Sequence, residues 1–515
     1  MPVIRLVATS LRCERSSYRT MASNTPSLAR IAVRNTVWVS LGTYLNQIIG
    51  FMATLAMTRI LSPEVFGFFA MGIFWSTLLN LRPKSGLNYA AIQQTKTAGD
   101  LLGTYYVLDA IAATGSLALS VIAAIVLSQL GYRQEVALAI VILMSADSFS
   151  ALVSPLSMVL EKELQLSRLT LVSLLASSAA YVIAISLALA GGGIWSLLAI
   201  NSVTTLISLG GVYWVCRRRW PQAFHFRWRF NSTLAKQLLR LGIPTGLSLT
   251  ALSSIVTQLD NFLIGTFVGY ATLGFYDRAY RIAHWPNILL TMVVTRIGFL
   301  TFAKVQNDLP RLTHAMRLSL WILTTLGMPI TLVLFFGAPD IVRILYGPAW
   351  NESGFFLRFL TIYSFVWPFV SLGFWLSIAL GHTRTTMLLT ASQAVALIVI
   401  ATPLTWQWGA MGTILGVGIT MALGFTLSCY YMFRQVPLSI GATFGPPLLA
   451  MSVAASIVFA LCQLPNWEHL PPLTHLFAIG LLGPGTFVVC LFALRRSEMM
   501  AYARYLRQAW HKSAK

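Results

Sequence analysis

Forty-eight consecutive residues, Leu169–Cys216, carry no charged side chain, and Thr385–Phe433 is a second uncharged stretch of similar length. About 20 apolar residues suffice to span a bilayer as a helix. Each stretch therefore reads as two membrane-crossing helices, divided at Gly191-Gly192-Gly193 in the first and around Trp406-Gln407-Trp408-Gly409 in the second. Further charge-poor runs lie at Thr36–Thr58, Val65–Leu81, Leu102–Leu130, Val136–Leu160, Leu241–Phe267, Gly274–Phe302, Leu318–Ala338, Phe359–Gly381, Pro446–Leu464 and Leu473–Leu494. Together they describe an all-α polytopic membrane protein with about fourteen transmembrane helices. Composition agrees. The 515 residues are 57% apolar and 10% charged, with a mean hydropathy of +0.72, whereas soluble domains carry about 25% charge.

The net charge of +21 would suggest nucleic acid in a soluble protein. Here the basic residues occupy short segments between apolar runs, which is the pattern of cytoplasmic loops, so no nucleic-acid partner is expected. With both termini inside, 29 of the 36 Lys and Arg fall on the inner side. The first 35 residues hold six arginines against Glu14. They match a transit peptide in composition and read more simply as a disordered basic cytoplasmic tail, with Met21 as an alternative start. Cys13, Cys216, Cys429, Cys462 and Cys490 are too scattered for a zinc site or a disulfide framework.

Two short motifs recur. Ser62-Pro63-Glu64-Val65-Phe66-Gly67-Phe68-Phe69-Ala70 corresponds, at an offset of 207, to Gly269-Tyr270-Ala271-Thr272-Leu273-Gly274-Phe275-Tyr276-Asp277. Near an offset of 216, Gly193-Ile194-Trp195-Ser196-Leu197 recurs as Gly409-Ala410-Met411-Gly412-Thr413 and opens the sixth span of each half. The expected organisation is two pseudo-symmetric six-helix lobes plus two C-terminal helices. Its segments are a tail at 1–35, an N-lobe at 36–220, a basic linker at 221–240, a C-lobe at 241–435, helices 13 and 14 at 436–494, and a basic cytoplasmic tail at 495–515. Six spans per copy leave both copies facing the same way, with the symmetry axis along the membrane normal. Such a bundle has a central cleft through which a substrate can pass.

The chain holds no G-x-x-x-x-G-K-[ST] phosphate loop, no H-E-x-x-H and no Asp-x-Asp pair, so no cofactor, no metal and no enzymatic activity are expected. The informative residues are the ionisable ones inside spans, each costing about 2.5–3.5 kcal/mol at a helix centre. Arg278 and Arg281 stand three apart in the eighth span. Arg296 follows Arg278 by about five whole turns, so a cationic stripe about 27 Å long is possible along one helix. With Tyr280 interleaved and Arg59 near the outer end of the first span, such a stripe suits an anionic, sugar-bearing substrate. The same arginines can instead snorkel to the interface or pair with Asp277. Asp260 and Asp147, with Asp109 beside them, are the candidate ion-coupling carboxylates or polar packing contacts.

Thr58-Arg59-Ile60-Leu61-Ser62-Pro63-Glu64-Val65-Phe66-Gly67, Asp260-Asn261-Phe262-Leu263-Ile264-Gly265, Leu273 to Arg281, Tyr346-Gly347-Pro348-Ala349-Trp350 and Leu380-Gly381-His382-Thr383-Arg384 occur in that order. In this the chain resembles the polysaccharide transporter family, the Wzx-type oligosaccharide flippases of the multidrug/oligosaccharidyl-lipid/polysaccharide flippase superfamily. It departs from the family pattern at Lys84-Ser85, where an acidic residue often precedes the glycine, and at Phe299–Phe302, where a proline is frequent. The resemblance implies a transporter that carries undecaprenyl-diphosphate-linked oligosaccharide across the bacterial inner membrane. Its partners would be that lipid-linked substrate, membrane lipids, a polysaccharide polymerase and glycosyltransferases. The rival from the same superfamily is a multidrug or cation antiporter, which would rely on buried carboxylates rather than arginines.

The charge distribution generates a topology test. Single cysteines at Gly192 and Trp408 are expected to react with an impermeant thiol reagent applied to intact cells, and one at Phe226 is not. The reverse labelling pattern would invert the assignment.

Overall fold

The structure is a computed structural model. It describes residues 28–513 apart from 93–98, 163–164, 220, 222–228, 248–249, 251 and 466. The described residues form helices and turns without strands, as a bilayer demands of a chain that must satisfy its backbone internally. The first half runs α1 (Leu28–Ile60), α2 (Pro63–Leu79), the short α3 (Leu81–Lys84) and α4 (Leu87–Ile92), α5 (Gly99–Gln129), α6 (Gln134–Ser150), α7 (Ser154–Lys162), α8 (Leu166–Leu189) and α9 (Ile194–Arg219). The second half runs α10 (Ser232–Gly246), α11 (Leu252–Phe267), α12 (Tyr270–Val305), α13 (Leu309–Phe336), α14 (Ala338–Leu345), α15 (Asn351–Ala379), α16 (Thr383–Ala396) and α17 (Thr402–Gln435). Two further helices follow, α18 (Ile440–Cys462) and α19 (Pro472–Ser513).

Ten described helical stretches are long and apolar enough to cross a bilayer, and the pair α6–α7, bent by 55°, makes an eleventh. Local features account for the distance from the fourteen expected. The helix α11 has only 16 residues, while α12 carries Asp277, Arg278, Arg281 and Arg296 within its 36. The stretch Arg384–Gln435 counts as one helix of 52 residues but reverses at Gly409 (φ 58°, ψ −139°). There the Thr405 and Thr413 hydroxyls lie 2.8 Å apart across the fold. A Cβ on Gly412 would stand 1.8 Å from the Leu404 carbonyl oxygen. Gly193, its counterpart in the repeat, also has a positive φ (51°) and also opens the sixth helix of its half. Both positions need a residue without a Cβ.

Three boundaries differ from the sequence expectation. The run expected at Leu241–Phe267 is two helices, because α10 already starts at Ser232, with Asn231 Oδ1 accepting from the Thr233 and Leu234 amides. Lys236 and Arg240 hid that start from a search for uncharged residues, and it lies within the expected linker at 221–240. The run Val136–Leu160 bends where Pro155 follows α6, since a proline nitrogen cannot continue the hydrogen-bond ladder. The C-terminal segment bends at Arg495 (φ −141°, ψ 43°) and stays helical to Ser513. The tail at 1–35 lies outside the described residues up to position 27, and α1 begins at Leu28.

The two halves meet backbone to backbone. A Cβ on Gly67 would lie 1.8 Å from the Tyr270 carbonyl oxygen, and one on Gly274 would lie 1.9 Å from that of Pro63. Pro63 and Tyr270, like Gly67 and Gly274, are counterparts at the offset of 207, so the contact is one interaction made twice across the pseudo-two-fold axis. Around it the family-like motifs form a plug. The Trp350 indole donates to the Thr58 carbonyl at 2.8 Å and meets Phe66 and Phe275 edge to face. Arg278 lies 4.4 Å above the Phe66 ring, and the Tyr346 hydroxyl donates to the Arg278 carbonyl at 3.3 Å. At the opposite end Gly86 (φ +58°) touches α10: its Cβ would stand 2.1 Å from the Gly242 carbonyl oxygen, and one on Gly246 equally close to that of Lys84. Lys84, where the family often has an acid nearby, donates its ammonium to the Thr77 and Leu78 carbonyls and so caps the C-terminus of α2.

Because an ordinary contact needs about 3.5 Å, alanine at Gly67 or Gly274 must push the halves apart at that end. Each variant is expected to speed modification of a cysteine placed at Gln258 by an impermeant reagent. Gly115→Ala, whose Cβ meets only Leu81 Cδ1 at 3.5 Å, should leave that rate unchanged.

Candidate functional site

Beneath the plug, three helices turn polar stripes toward one another. Along α1 the stripe is Asn46, Gln47, Gly50, Phe51 and Thr54; along α11 it is Thr257, Gln258, Asp260 and Asn261; along α12 it is Asp277, Tyr280, Arg281, His284 and Trp285. Each follows the three-and-four spacing of one helix face. With Tyr181 of α8 and Tyr346 of the plug they enclose a cavity of about 450 Å³ between the two halves.

The wall is chemically mixed. Phe51 and Trp285 pair with ring centroids 4.3 Å apart, and Tyr280 stacks on His284 at 5.4 Å. Amides and hydroxyls occupy α1 and α11. Asp260 is buried, accepting from the Tyr276 hydroxyl at 2.7 Å and from the Asn261 amide at 2.9 Å. Asp277 is held between two guanidiniums. It accepts from Arg278 through two nitrogens and from Arg281 Nε at 3.3 Å. One carboxylate against two guanidiniums leaves one positive charge over. The Arg278 side chain is only 3% exposed and that of Arg281 is 45% exposed, so the excess cation faces the cavity at Arg281.

The arginine stripe divides accordingly. Arg278 is one residue on from Asp277, about 100° around the helix, and is buried against Phe66 instead of lining the cavity. Tyr280 and Arg281 line it. Arg296 lies on the same helix, but its side chain falls outside the described residues. Arg59 is turned away from the cavity: its guanidinium donates to the Leu345 carbonyl at 3.1 Å and to that of Ile344, closing the C-terminus of α14. Asp147 is also elsewhere. With Asp109 it holds Arg82 inside the first half, at 3.1 Å and 2.9 Å, and Arg82 also donates to the Asp147 carbonyl at 2.6 Å. Ser154 at the start of α7 donates to Asp109, so this network stitches the α6–α7 bend. The amide stripe of α1 was overlooked from sequence, although Thr43, Asn46, Gln47 and Thr54 recur at helical spacing in an otherwise apolar span.

Comparison with known proteins gives a consistent placement. The family model described as polysaccharide biosynthesis protein matches residues 56–354. The chain is 28% identical to the succinoglycan biosynthesis transport protein ExoT of Rhizobium meliloti (strain 1021) over 336 residues, 63% of this chain. That match spans 65% of the relative's own length, slightly less than two thirds. It is 22% identical to the lipopolysaccharide biosynthesis protein WzxC of Escherichia coli (strain K12) over 489 residues, 89% of each chain. In structure it is similar to the lipid II flippase MurJ in an inward closed conformation, with a TM-score of 0.70 at 15% identity over 90% of this chain and 100% of that one. The structural likeness establishes a shared fold, and the family match covers the halves' shared plug and most of the cavity: the chain belongs to the polysaccharide biosynthesis protein family, as a multi-pass membrane protein.

Proposed function

We propose that the protein flips lipid-linked oligosaccharide repeat units, carried on undecaprenyl diphosphate, from the cytoplasmic to the outer leaflet of the bacterial inner membrane, with both termini cytoplasmic. The carrying observation is the cavity between the two halves, in which one half-exposed guanidinium stands among amides, hydroxyls and paired rings. Arg281 suits a phosphate oxygen pair. Asn46, Gln47, Gln258 and Asn261 suit sugar hydroxyls, and Trp285 with Phe51 offers a flat face to a sugar ring. A volume of about 450 Å³ suits the diphosphate and the sugars next to it. The relatives' roles, succinoglycan biosynthesis transport and lipopolysaccharide biosynthesis, support the same substrate class. On this reading glycosyltransferases supply the substrate and a polymerase consumes it, and the chain itself makes and breaks no covalent bond.

One observation favours the antiporter alternative: two carboxylates, Asp260 and Asp277, line the same cavity. Asp277 is already matched by two arginines, which leaves Asp260 as the candidate coupling group. The readings separate in cells lacking the gene. Loss of surface polysaccharide supports the flippase; normal polysaccharide with greater sensitivity to cationic drugs supports the antiporter. Export that survives Asp260→Asn removes Asp260 from coupling.

The two arginines differ in their expected effects. Arg281→Glu should abolish export at unchanged membrane abundance. Arg278→Ala should instead lower the unfolding temperature of the purified protein, because Asp277 loses its two-nitrogen contact with the buried guanidinium and keeps only Arg281 Nε at 3.3 Å. Normal export by Arg281→Glu would place the substrate phosphate elsewhere.

A further inference from the structure

A second cavity, of about 380 Å³, lies on the perimeter of the first half between α8 and α9, and none of its lining residues belongs to the central cavity. Its wall is apolar, with Leu175 and Ile207 on facing helices. The helices approach closely here because Gly211 has no side chain; a Cβ there would come within 2.6 Å of Val172 Cγ1. Arg168, near the start of α8, and Arg218 and Arg219, at the end of α9, form the mouth. Arg218 lies 4.3 Å above the Trp214 ring. No carboxylate lines the groove. Among the described residues, none of the three arginines belongs to an ion pair.

We propose that this groove binds one anionic phospholipid of the surrounding leaflet, its phosphate held by Arg168, Arg218 and Arg219 and one acyl chain laid along Leu175 and Ile207. The charge argument is direct. Three guanidiniums gathered at the adjoining ends of two helices, with no acidic partner among the described residues, attract an anion, and planar guanidinium forks match phosphate oxygens. The hydrocarbon argument is independent of it: a narrow apolar groove open to the bilayer is filled by a chain. The stacked Trp214 sits at the level where aromatic rings favour the headgroup boundary. Separation from the central cavity makes the occupant a resident lipid and not the transported one.

The test is a lipid titration of the purified full-length protein in a neutral detergent, read by native mass spectrometry. The probes are dioleoyl phosphatidylglycerol, dioleoyl phosphatidylcholine and inorganic phosphate. One phosphatidylglycerol should bind well ahead of phosphatidylcholine. Each basic residue near an anionic headgroup is worth roughly fivefold in affinity, so the combined Arg168→Gln, Arg218→Gln, Arg219→Gln variant should bind about 100-fold more weakly. The matching lysine variants keep the charge but lose the fork, so they should bind with intermediate affinity and still prefer phosphatidylglycerol. Ile207→Trp, which fills the groove without altering charge, should weaken the lipid too, and thermal unfolding confirms that each variant is folded. Four results would overturn the proposal: undiminished phosphatidylglycerol binding by the glutamine variant, equal binding of phosphatidylcholine, displacement of the lipid by millimolar inorganic phosphate alone, or a co-purifying polypeptide released only by the glutamine variant.

Discussion

Two glycines facing two carbonyls hold the two halves in register. Gly67 rests on the backbone of Tyr270, and Gly274 rests on that of Pro63. Lipid is as apolar as leucine, so there is little hydrophobic gain in bringing membrane helices together; association depends on close packing and polar contacts, and small residues let backbones approach. Only a residue without a Cβ allows this contact, and its duplication across the pseudo-two-fold axis sets α2 and α12 against each other. The aromatic plug, Arg278 stacked on Phe66, the Arg59 cap on α14 and the roof of the cavity are all built outward from it.

Ionisable groups inside the bundle fall into two kinds. In Arg82 with Asp109 and Asp147, and in Arg278 with Asp277, the guanidinium is fully engaged by carboxylate within a few ångströms. Such groups hold geometry, and removing one member leaves another uncompensated. Arg281 is the other kind. Sharing Asp277 with Arg278, it keeps charge and exposure available to a ligand. The distinction matters for any reading of function from composition, because an intramembrane arginine is a candidate site only if its partners leave something over.

Much of the fold was legible in the chain. The uncharged runs located most helices because burying charge in hydrocarbon is costly, and Gly193 and Gly409 marked reversals because their positive φ excludes most other residues. Helices with charged or amphipathic faces were harder to read. The start of α10 at Ser232 was hidden because Lys236 and Arg240 break the uncharged run, and the bend between α6 and α7 lies inside a run that continues through it. For the site, the helix and its Tyr280 and Arg281 were legible, while the stripe through Arg278 was not, since neighbouring positions on one helix can face a cavity or a partner helix.

The sequence by itself determined a duplicated, helical, membrane-embedded chain with a basic end and a cluster of arginines in its eighth span, because hydropathy, charge and glycine placement act locally. Tertiary structure decided which of those charges are spent. Asp109 and Asp147 share Arg82, 27 and 65 residues away, and Arg59 closes a helix 285 and 286 residues away in sequence. Pairings across such separations depend on how the helices pack, and electrostatic energy falls with distance in space, not along the chain.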